Sequence, residues 1–203
     1  MKILLTAFDP FGGEEINPAE EAVRLVADRI GGADIVKLTV PTVFGKSIEI
    51  AAEAIRRENP DAVLMIGQAG GRSAITPERV AININDARIA DNAGHIPTDE
   101  PIAKNGPAAY FSTLPIKKMV EAIRAEGIPA NVSDSAGTFV CNQLMYGVLD
   151  LLQREYPGTV GGFMHIPFAP EQTAKQHHPA PSMSIEDVRR GIEAALRAIA
   201  EAL

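Results

Sequence analysis

Short apolar runs alternate along the chain with segments in which apolar residues recur at helical spacing. Continuous apolar runs of this length are typical of buried parallel strands, whereas a three-to-four-residue repeat is typical of a helix packed on one face. The runs predict strands at residues 2–8, 34–40, 62–66, 130–133 and 159–166. We therefore expect an α/β fold of three layers (α/β/α), in which helices cover both faces of a mostly parallel, twisted sheet.

Five helices are predicted from helical spacing and from residues that favour helix ends. Asn17 and Pro18 are typical of an N-cap and a first helical position, and we expect their helix to run to about Ile30. Ser184 is a typical N-cap for a helix near the end of the chain. The three other helices are expected at about residues 44–59, 115–126 and 141–155.

Three segments depart from the alternation of strands and helices. Residues 79–88 alternate apolar and polar side chains, which predicts an antiparallel excursion with one polar face. Residues 91–113 are expected to form a long surface loop, and the proline-rich residues 167–183 an irregular segment. Since no linker composition interrupts the chain, we expect residues 1–203 to form one catalytic domain.

Composition narrows the classes of partner and compartment. The net charge is −7 and the pI about 5.1, which argues against nucleic acids and anionic membranes as partners, because phosphate contacts require clustered Lys and Arg. The apolar run near the N-terminus is too short for a signal peptide or a membrane span. The one cysteine excludes an internal disulfide, which fits a reducing compartment, so we expect a cytoplasmic protein.

Cys141 is the first candidate for chemistry because it lies where a small-residue loop leads into a predicted helix. The positive end of a helix dipole favours a thiolate and should lower the pKa of this thiol. Free backbone N–H groups at the same place could stabilise an oxyanion. The alternative is that Cys141 is an inert, buried small hydrophobe.

His165 is the candidate base because it lies at the end of the last predicted strand. Functional side chains gather at the carboxyl ends of parallel strands, and the helix of Cys141 should begin at the same edge. A structural histidine is the alternative. A base also needs an acceptor that orients it, and position alone leaves four candidates open: Glu78, Asp86, Asp91 and Glu171.

Other motifs favour neither a metal nor a nucleotide. His177 and His178 are adjacent, but no further Cys/His spacing supports a metal site, and His95 lies in the predicted loop. The loop at residues 8–15 follows a strand but lacks a GxGxxG motif and a P-loop lysine, and its carboxylates would repel phosphate. We expect no metal and no cofactor, and the two phenylalanines of this loop could instead wall a small apolar pocket.

Five segments, taken together, resemble the pyroglutamyl peptidase I family of cysteine peptidases, also called pyrrolidone-carboxylate peptidases. The segments are FDPFGGEEINP at 8–18, GQAGGR at 67–72, ERVAININDARIADNAG at 78–94, SAGTFVCNQLMYG at 135–147 and GFMHIPFAPEQ at 162–172. They occur in order and extend over nearly the whole chain, which makes the resemblance specific.

The resemblance implies a hydrolase that removes an N-terminal pyroglutamyl residue from peptides through a thioester intermediate. Cys141 would be the nucleophile, His165 the general base and Glu78 the orienting carboxylate, and only the resemblance selects Glu78 over its rivals. It further implies that the lactam ring is held by Phe8, Phe11, Phe139 and Val140, that Gln68 hydrogen-bonds its amide, and that Arg88 lies near the oxyanion. The family also implies assembly into dimers or tetramers.

Two other functions are compatible with a fold of this class, since fold does not fix function. One is a nucleoside phosphorylase or hydrolase. The other is a binding module without catalytic activity that recognises a small cyclic amide.

Overall fold

The computed structural model describes residues 1–176 and 180–203. In these residues the strands are β1 (Lys2–Phe8), β2 (Arg29–Ile30), β3 (Ala33–Val40), β4 (Ala62–Gln68), β5 (Thr76–Pro77), β6 (Val80–Ile82), β7 (Ala109–Phe111) and β8 (Val160–Ile166). The helices are α1 (Pro18–Leu25), α2 (Lys46–Glu58), α3 (Ile116–Ala125), α4 (Val140–Glu155), α5 (Pro170–Thr173) and α6 (Ile185–Ala200).

The central sheet has the strand order β2-β3-β1-β4-β8-β5. Strands β3, β1, β4 and β8 are parallel, and the short strands β2 and β5 pair antiparallel at the two edges. Strands β6 and β7 form a separate antiparallel pair. The predicted fold class, with a mostly parallel sheet and an antiparallel excursion from residue 79, is confirmed.

Alternating side chains of the central strands form two cores, one on each face of the sheet. In β1, Ile3 and Leu5 face α1, α3 and α6, whereas Leu4 and Phe8 face α2 and α4. All four side chains are at most 2% exposed, as expected for a strand covered by helices on both faces. No helix in the described residues is long and apolar enough to cross a membrane.

The predicted N-caps are confirmed. The Asn17 side chain accepts a hydrogen bond from the backbone of Ala19, and Pro18 occupies the first turn of α1. The Ser184 hydroxyl accepts from the backbone of Asp187 and begins α6.

Helix α1 ends at Leu25, so the prediction that it continues to Ile30 is wrong. Val26 is extended, and Arg29–Ile30 instead pairs with β3 across a two-residue turn at 31–32. Both turn residues, Gly31 and Gly32, have positive φ, which such a hairpin turn requires. Val26 and Ile30 are buried as their spacing predicts, but the chain reaches those positions without a helix.

Three other predicted boundaries need correction. Residues 130–133 form isolated parallel bridges to Ile75 and Glu78 rather than a strand, because β5 occupies the place beside β8. The predicted loop at 91–113 contains β7, which pairs with β6. The predicted irregular segment at 167–183 contains the one-turn helix α5.

Candidate active site

Cys141 and His165 approach each other from helix α4 and strand β8. Cys141 is the second residue of α4, and His165 is the second-last residue of β8. The His165 ring lies on the same face of the sheet as Phe163, two residues earlier, and the two ring centroids are 4.8 Å apart. Because Phe163 belongs to the core formed with α2 and α4, His165 points to the side of the sheet that carries Cys141.

Gly67 of β4 shows how close the thiol comes to the sheet. A Cβ atom built on Gly67 would lie 3.0 Å from Cys141 Sγ and 2.7 Å from Phe163 Cζ. Gly67 is in register with His165 on the neighbouring strand, and paired strands lie about 4.8 Å apart. The sulfur therefore rests against β4 next to His165, in a space that only glycine leaves open.

Glu78 is the carboxylate that contacts His165. It is fully buried, and its Oε1 atom lies 2.7 Å from His165 Nδ1. Its backbone N–H donates to Phe163 O at 2.8 Å, which fixes Glu78 directly beside β8. With Nδ1 donating to the carboxylate, Nε2 is the ring nitrogen that can accept a proton.

The three rival carboxylates lie elsewhere. Asp91 is buried, and its oxygens accept from the backbone N–H groups of Phe44, Ala93 and His95, so it organises a loop. Asp86 and Glu171 are exposed. Among the four candidates, Glu78 is the one bonded to His165.

Arg72 completes the group, although sequence reasoning did not single it out. Its Nη1 atom lies 2.6 Å from Glu78 Oε1 and also contacts the hydroxyl of Thr76, and its Nη2 donates to Ser135 O at 3.1 Å. The guanidinium thus ties the carboxylate to the loop before α4. Its position just after β4, at the carboxyl edge of the sheet, is the signal that could have identified it.

The second oxygen of Glu78 is less well satisfied. Oε2 is buried and makes no hydrogen bond within the described chain, while the nearby Ser133 hydroxyl donates to Ser135 O. Burial raises the pKa of the Glu78 carboxyl, but the hydrogen bond and charge of His165, with help from Ser133 and Arg72, hold it below its ordinary value. Glu78 is therefore ionised at neutral pH.

The base and the thiol are both neutral at pH 7. Burial lowers the pKa of His165, and the opposing influence of Glu78 is smaller. Although Cys141 is only half-buried as a residue, burial and then the charge of Glu78 raise the pKa of its thiol to about 12. Burial thus opposes the lowering of this pKa that is expected at a helix N-terminus. The site holds a thiol and a neutral imidazole ready to accept its proton.

A cavity of about 780 Å³ opens over these groups. Cys141 and His165 line it, together with three aromatic side chains: Phe11, Phe139 and Phe168. The Phe11 and Phe139 ring centroids are 6.2 Å apart, so the rings form one apolar wall.

The predicted substrate-binding residues divide into two groups. Phe11, Gln68, Arg88 and Phe139 line the cavity. Phe8 and Val140 lie beneath it, at 2% and 0% exposure, and Phe8 packs against Phe163 with ring centroids 6.3 Å apart. A contact of either with a ligand stays a prediction. Ile89, which the sequence did not single out for this role, also lines the cavity.

The first turn of α4 faces the cavity without a capping side chain. Its N-cap is Phe139, which offers no acceptor, so side chains do not occupy the first backbone N–H groups. Buried Asn142 holds the turn in place: its Oδ1 accepts from Ile82 N, and its Nδ2 donates to Ile82 O and Ile84 O, all at 2.9 to 3.0 Å. These bonds fasten to α4 the segment that leads to Arg88.

The other histidines are separate from this site or outside the described chain. His95 packs edge-on against Phe44, with centroids 5.7 Å apart. His177 and His178 lie outside the described residues. Within residues 1–176 and 180–203, no group of three His, Cys, Asp or Glu side chains could hold a metal ion.

An α/β fold that brings a thiol and an imidazole to one cavity, with a buried carboxylate bonded to the imidazole, is typical of the class of thiol-dependent hydrolases. The family model described as pyroglutamyl peptidase matches residues 1–202, and the chain belongs to this family. The resemblance inferred from the five sequence segments is confirmed.

Individual relatives agree with this assignment. The chain is 56% identical to a pyrrolidone-carboxylate peptidase of Levilactobacillus brevis, over 98% of this chain and 97% of the relative. It is similar to the crystal structure of pyroglutamyl peptidase I from Bacillus amyloliquefaciens, with a TM-score of 0.94 at 52% identity over 98% and 94% of the two chains. A mutant pyrrolidone carboxyl peptidase of Pyrococcus furiosus gives a TM-score of 0.96 at 42% identity over 100% of both chains. These relatives give no support to a phosphorylase or a binding module.

Proposed function

We propose that Cys141, His165 and Glu78 hydrolyse the amide bond that follows an N-terminal pyroglutamyl residue of a peptide, through a thioester. The observation that carries the proposal is the hydrogen bond that His165 Nδ1 donates to Glu78, beside a thiol that rests against Gly67 at the same cavity. Removal of the pyroglutamyl residue is the activity of the family to which the chain belongs.

Acylation begins with transfer of the thiol proton to His165 Nε2. The sulfur attacks the carbonyl carbon of the pyroglutamyl residue, and the carbonyl oxygen becomes an oxyanion. The backbone N–H of Cys141, in the uncapped first turn of α4, would donate to it, and Arg88, which lines the cavity, would add positive charge. One such donor typically stabilises the transition state by about 3 kcal/mol.

The imidazolium then returns the proton to the leaving nitrogen as the C–N bond breaks, and the shortened peptide departs as an amine. Water attacks the thioester with His165 again accepting a proton, which releases pyroglutamate and regenerates the thiol. Glu78 holds the imidazole in the required tautomer and stabilises the imidazolium, and Arg72 forms an ion pair with the same carboxylate.

The cavity favours a lactam over a free N-terminus. A pyroglutamyl residue has no ammonium group, whereas an ordinary peptide N-terminus would have to lose the hydration of its charge against the phenylalanine wall. Phe11 and Phe139 would hold the ring, and Gln68 would hydrogen-bond its amide. We propose no role for a metal or an organic cofactor in these steps.

The test is release of the chromophore from a pyroglutamyl-arylamide. We expect turnover by the wild type, inactivation by iodoacetamide, and a loss of roughly 10⁴-fold or more in Cys141→Ala and Cys141→Ser with an unchanged circular dichroism spectrum. Retained turnover in either variant would contradict the mechanism. Binding of pyroglutamate by the wild type without amine release under reducing conditions would instead indicate a binding module.

We further propose that residues 1–203 work as one catalytic domain in the cytoplasm and that the chain assembles into dimers or tetramers. A single cysteine used as a reduced nucleophile suits a reducing compartment. Exposed apolar side chains such as Phe111 and Ile96, at 66% and 54% exposure, are available for subunit contacts. Light scattering coupled to gel filtration tests the assembly, and a monomer at micromolar concentration would contradict it.

A further inference from the structure

A short relay of polar groups leads from the backbone of Ala169 to Gln68 in the cavity. The Ala169 N–H donates to Gln172 Oε1 at 3.0 Å, and Gln172 Nε2 donates to Gln68 Oε1 at 3.1 Å. Gln172 is 3% exposed and does not line the cavity, so its amide contacts the protein rather than a ligand.

The direction of this relay is fixed by its first member. A backbone N–H can only donate, so the atom of Gln172 that faces Ala169 must be the oxygen. The Gln172 amide nitrogen then faces Gln68 and, being a donor, requires the Gln68 oxygen opposite it. This leaves the amide nitrogen of Gln68, which makes no hydrogen bond within the described chain, as the group offered to a ligand.

We infer that Gln172 is a positioning residue that orients the Gln68 amide so that its NH₂ group donates to the ring carbonyl of a pyroglutamyl substrate. The inference rests on the proposed function. It adds the polarity of the contact: the cavity presents a donor, and its ligand must present an acceptor. A pyroglutamyl ring has that carbonyl and a prolyl ring lacks it.

Helix α5 explains why Gln172 holds one orientation. Gln172 is the third residue of this helix, and its side chain reaches back to the N–H of the N-cap residue Ala169. Ala169 has no side-chain oxygen, so this bond is the side-chain cap of the helix. A rotation of the Gln172 amide would leave a buried N–H unpaired, which is costly.

Two variants separate the roles of Gln172. In Gln172→Glu the new carboxylate still accepts from Ala169 but cannot donate, so the Gln68 amide turns and presents its oxygen to the ring carbonyl. In Gln172→Met both bonds are lost and the Gln68 amide is free to rotate. Gln143→Glu is the matched control, because Gln143 is also buried and its Oε1 accepts from the backbone N–H of Gly45.

Kinetics with a pyroglutamyl-arylamide at pH 8 measure how each variant changes KM and kcat. We expect KM to rise about tenfold in Gln172→Glu and about threefold in Gln172→Met, as one lost or repulsive hydrogen bond predicts, with kcat changed less than about threefold. Inhibition by 2-pyrrolidone, which has the ring carbonyl, should weaken in parallel. The rate of Cys141 alkylation by iodoacetamide should stay at the wild-type value, as should KM in Gln143→Glu.

Lowering the pH should partly restore substrate binding in Gln172→Glu. As the pH falls, the introduced carboxyl gains a proton and can donate to Gln68 Oε1, so the KM ratio of Gln172→Glu to the wild type should shrink. A wild-type KM in Gln172→Glu at pH 8 would overturn the inference. A fall in kcat and alkylation rate equal to the fall in kcat/KM would also overturn it, by indicating a purely structural role. Failure of the wild type to cleave the substrate would instead contradict the proposed function.

Discussion

Gly67 is the residue at which the packing of the sheet determines where the proposed nucleophile Cys141 can lie. The thiol occupies the volume that any larger side chain at this position would fill. In the sequence, the segment GQAGGR at 67–72 is a glycine-rich stretch after a predicted strand and lacks a dinucleotide-binding fingerprint. The requirement for glycine arises from α4, which lies about seventy residues later in the chain.

Replacement of Gly67 by alanine should therefore impair activity more than stability. The new methyl group would displace Cys141 Sγ and the Phe163 ring, and a shift of about 1 Å at a reacting atom can reduce the rate about 100-fold. We expect at least that loss in kcat/KM with a fall of about 1–3 kcal/mol in the free energy of unfolding. Gly161→Ala in β8 is the control, because its methyl group would meet Leu152 Cδ1 away from the site. Equal activity in the two variants would refute this account.

Arg72 affects His165 and Glu78 through its charge. Its positive charge lowers the pKa of His165 and of Glu78, so Arg72→Gln should raise both values. Because the free enzyme is active with neutral His165, the acid limb of the kcat/KM profile should move to higher pH. Arg72→Lys retains the charge and should keep the limb near its wild-type position, with lower kcat/KM because the two-sided contact is lost. A profile in Arg72→Gln that superimposes on the wild type would contradict this role.

At the scale of elements, the sequence predicted those strands and helices whose position depends on residues nearby in the chain. The buried run of β1 and the capped helix α6 were placed within a residue or two, because burial period and cap chemistry are encoded nearby. The end of α1 and the character of residues 130–133 were missed, since each depends on a partner strand that lies elsewhere in the sequence.

The site follows the same division. Cys141 and His165 could be named from their positions at a helix start and a strand end, and the structure brings both to one cavity. Glu78 could not be chosen from spacing, because its bond to His165 joins residues 87 positions apart. Arg72 was missed although its position just after β4 was a usable signal, because its role depends on Glu78, which spacing alone did not select.

Asn142 links helix α4 to residues 82–84, so its replacement should lower the stability of the protein. Its side chain makes three partly buried hydrogen bonds to the backbone at 82–84, and Asn142→Leu would leave those backbone groups without these partners. We expect the free energy of unfolding to fall by about 2–4 kcal/mol. In urea denaturation, Asn131→Leu, at an exposed asparagine, should change stability little. Unchanged stability of Asn142→Leu would show that these hydrogen bonds do not contribute to the free energy of unfolding.

At the scale of the whole molecule, the ionisable groups of the site make the stability of the fold depend on pH in both the acid and the alkaline range. His165 and Glu78 have folded pKa values below their ordinary ones, so the unfolded chain binds more protons in acid. Their contributions are present above the unfolded pKa values and are lost as the pH falls through the folded ones. The Cys141 thiol behaves oppositely, because its folded pKa of about 12 exceeds its ordinary value of 9.0.

Alkaline pH should therefore destabilise the wild type more than a variant without the thiol. Between pH 8 and pH 10 the unfolded chain releases the thiol proton and the folded chain retains it. We expect the wild type to lose about 1.4 kcal/mol more unfolding free energy than Cys141→Ala over this interval. Urea titrations of both proteins at the two pH values measure the difference. Parallel losses would mean that the folded thiol ionises as readily as an unfolded one.

The bond between Glu78 and His165 spans almost half of the polypeptide, and the contact of Gly67 with Cys141 spans more than a third. No peptide fragment shorter than these spans can contain both members of either pair. On the proposed mechanism, activity therefore arises late in synthesis, after α4 and β8 have left the ribosome and packed against strands made earlier. On the proposed mechanism, a nascent chain cannot cleave its substrate before His165 has been synthesised.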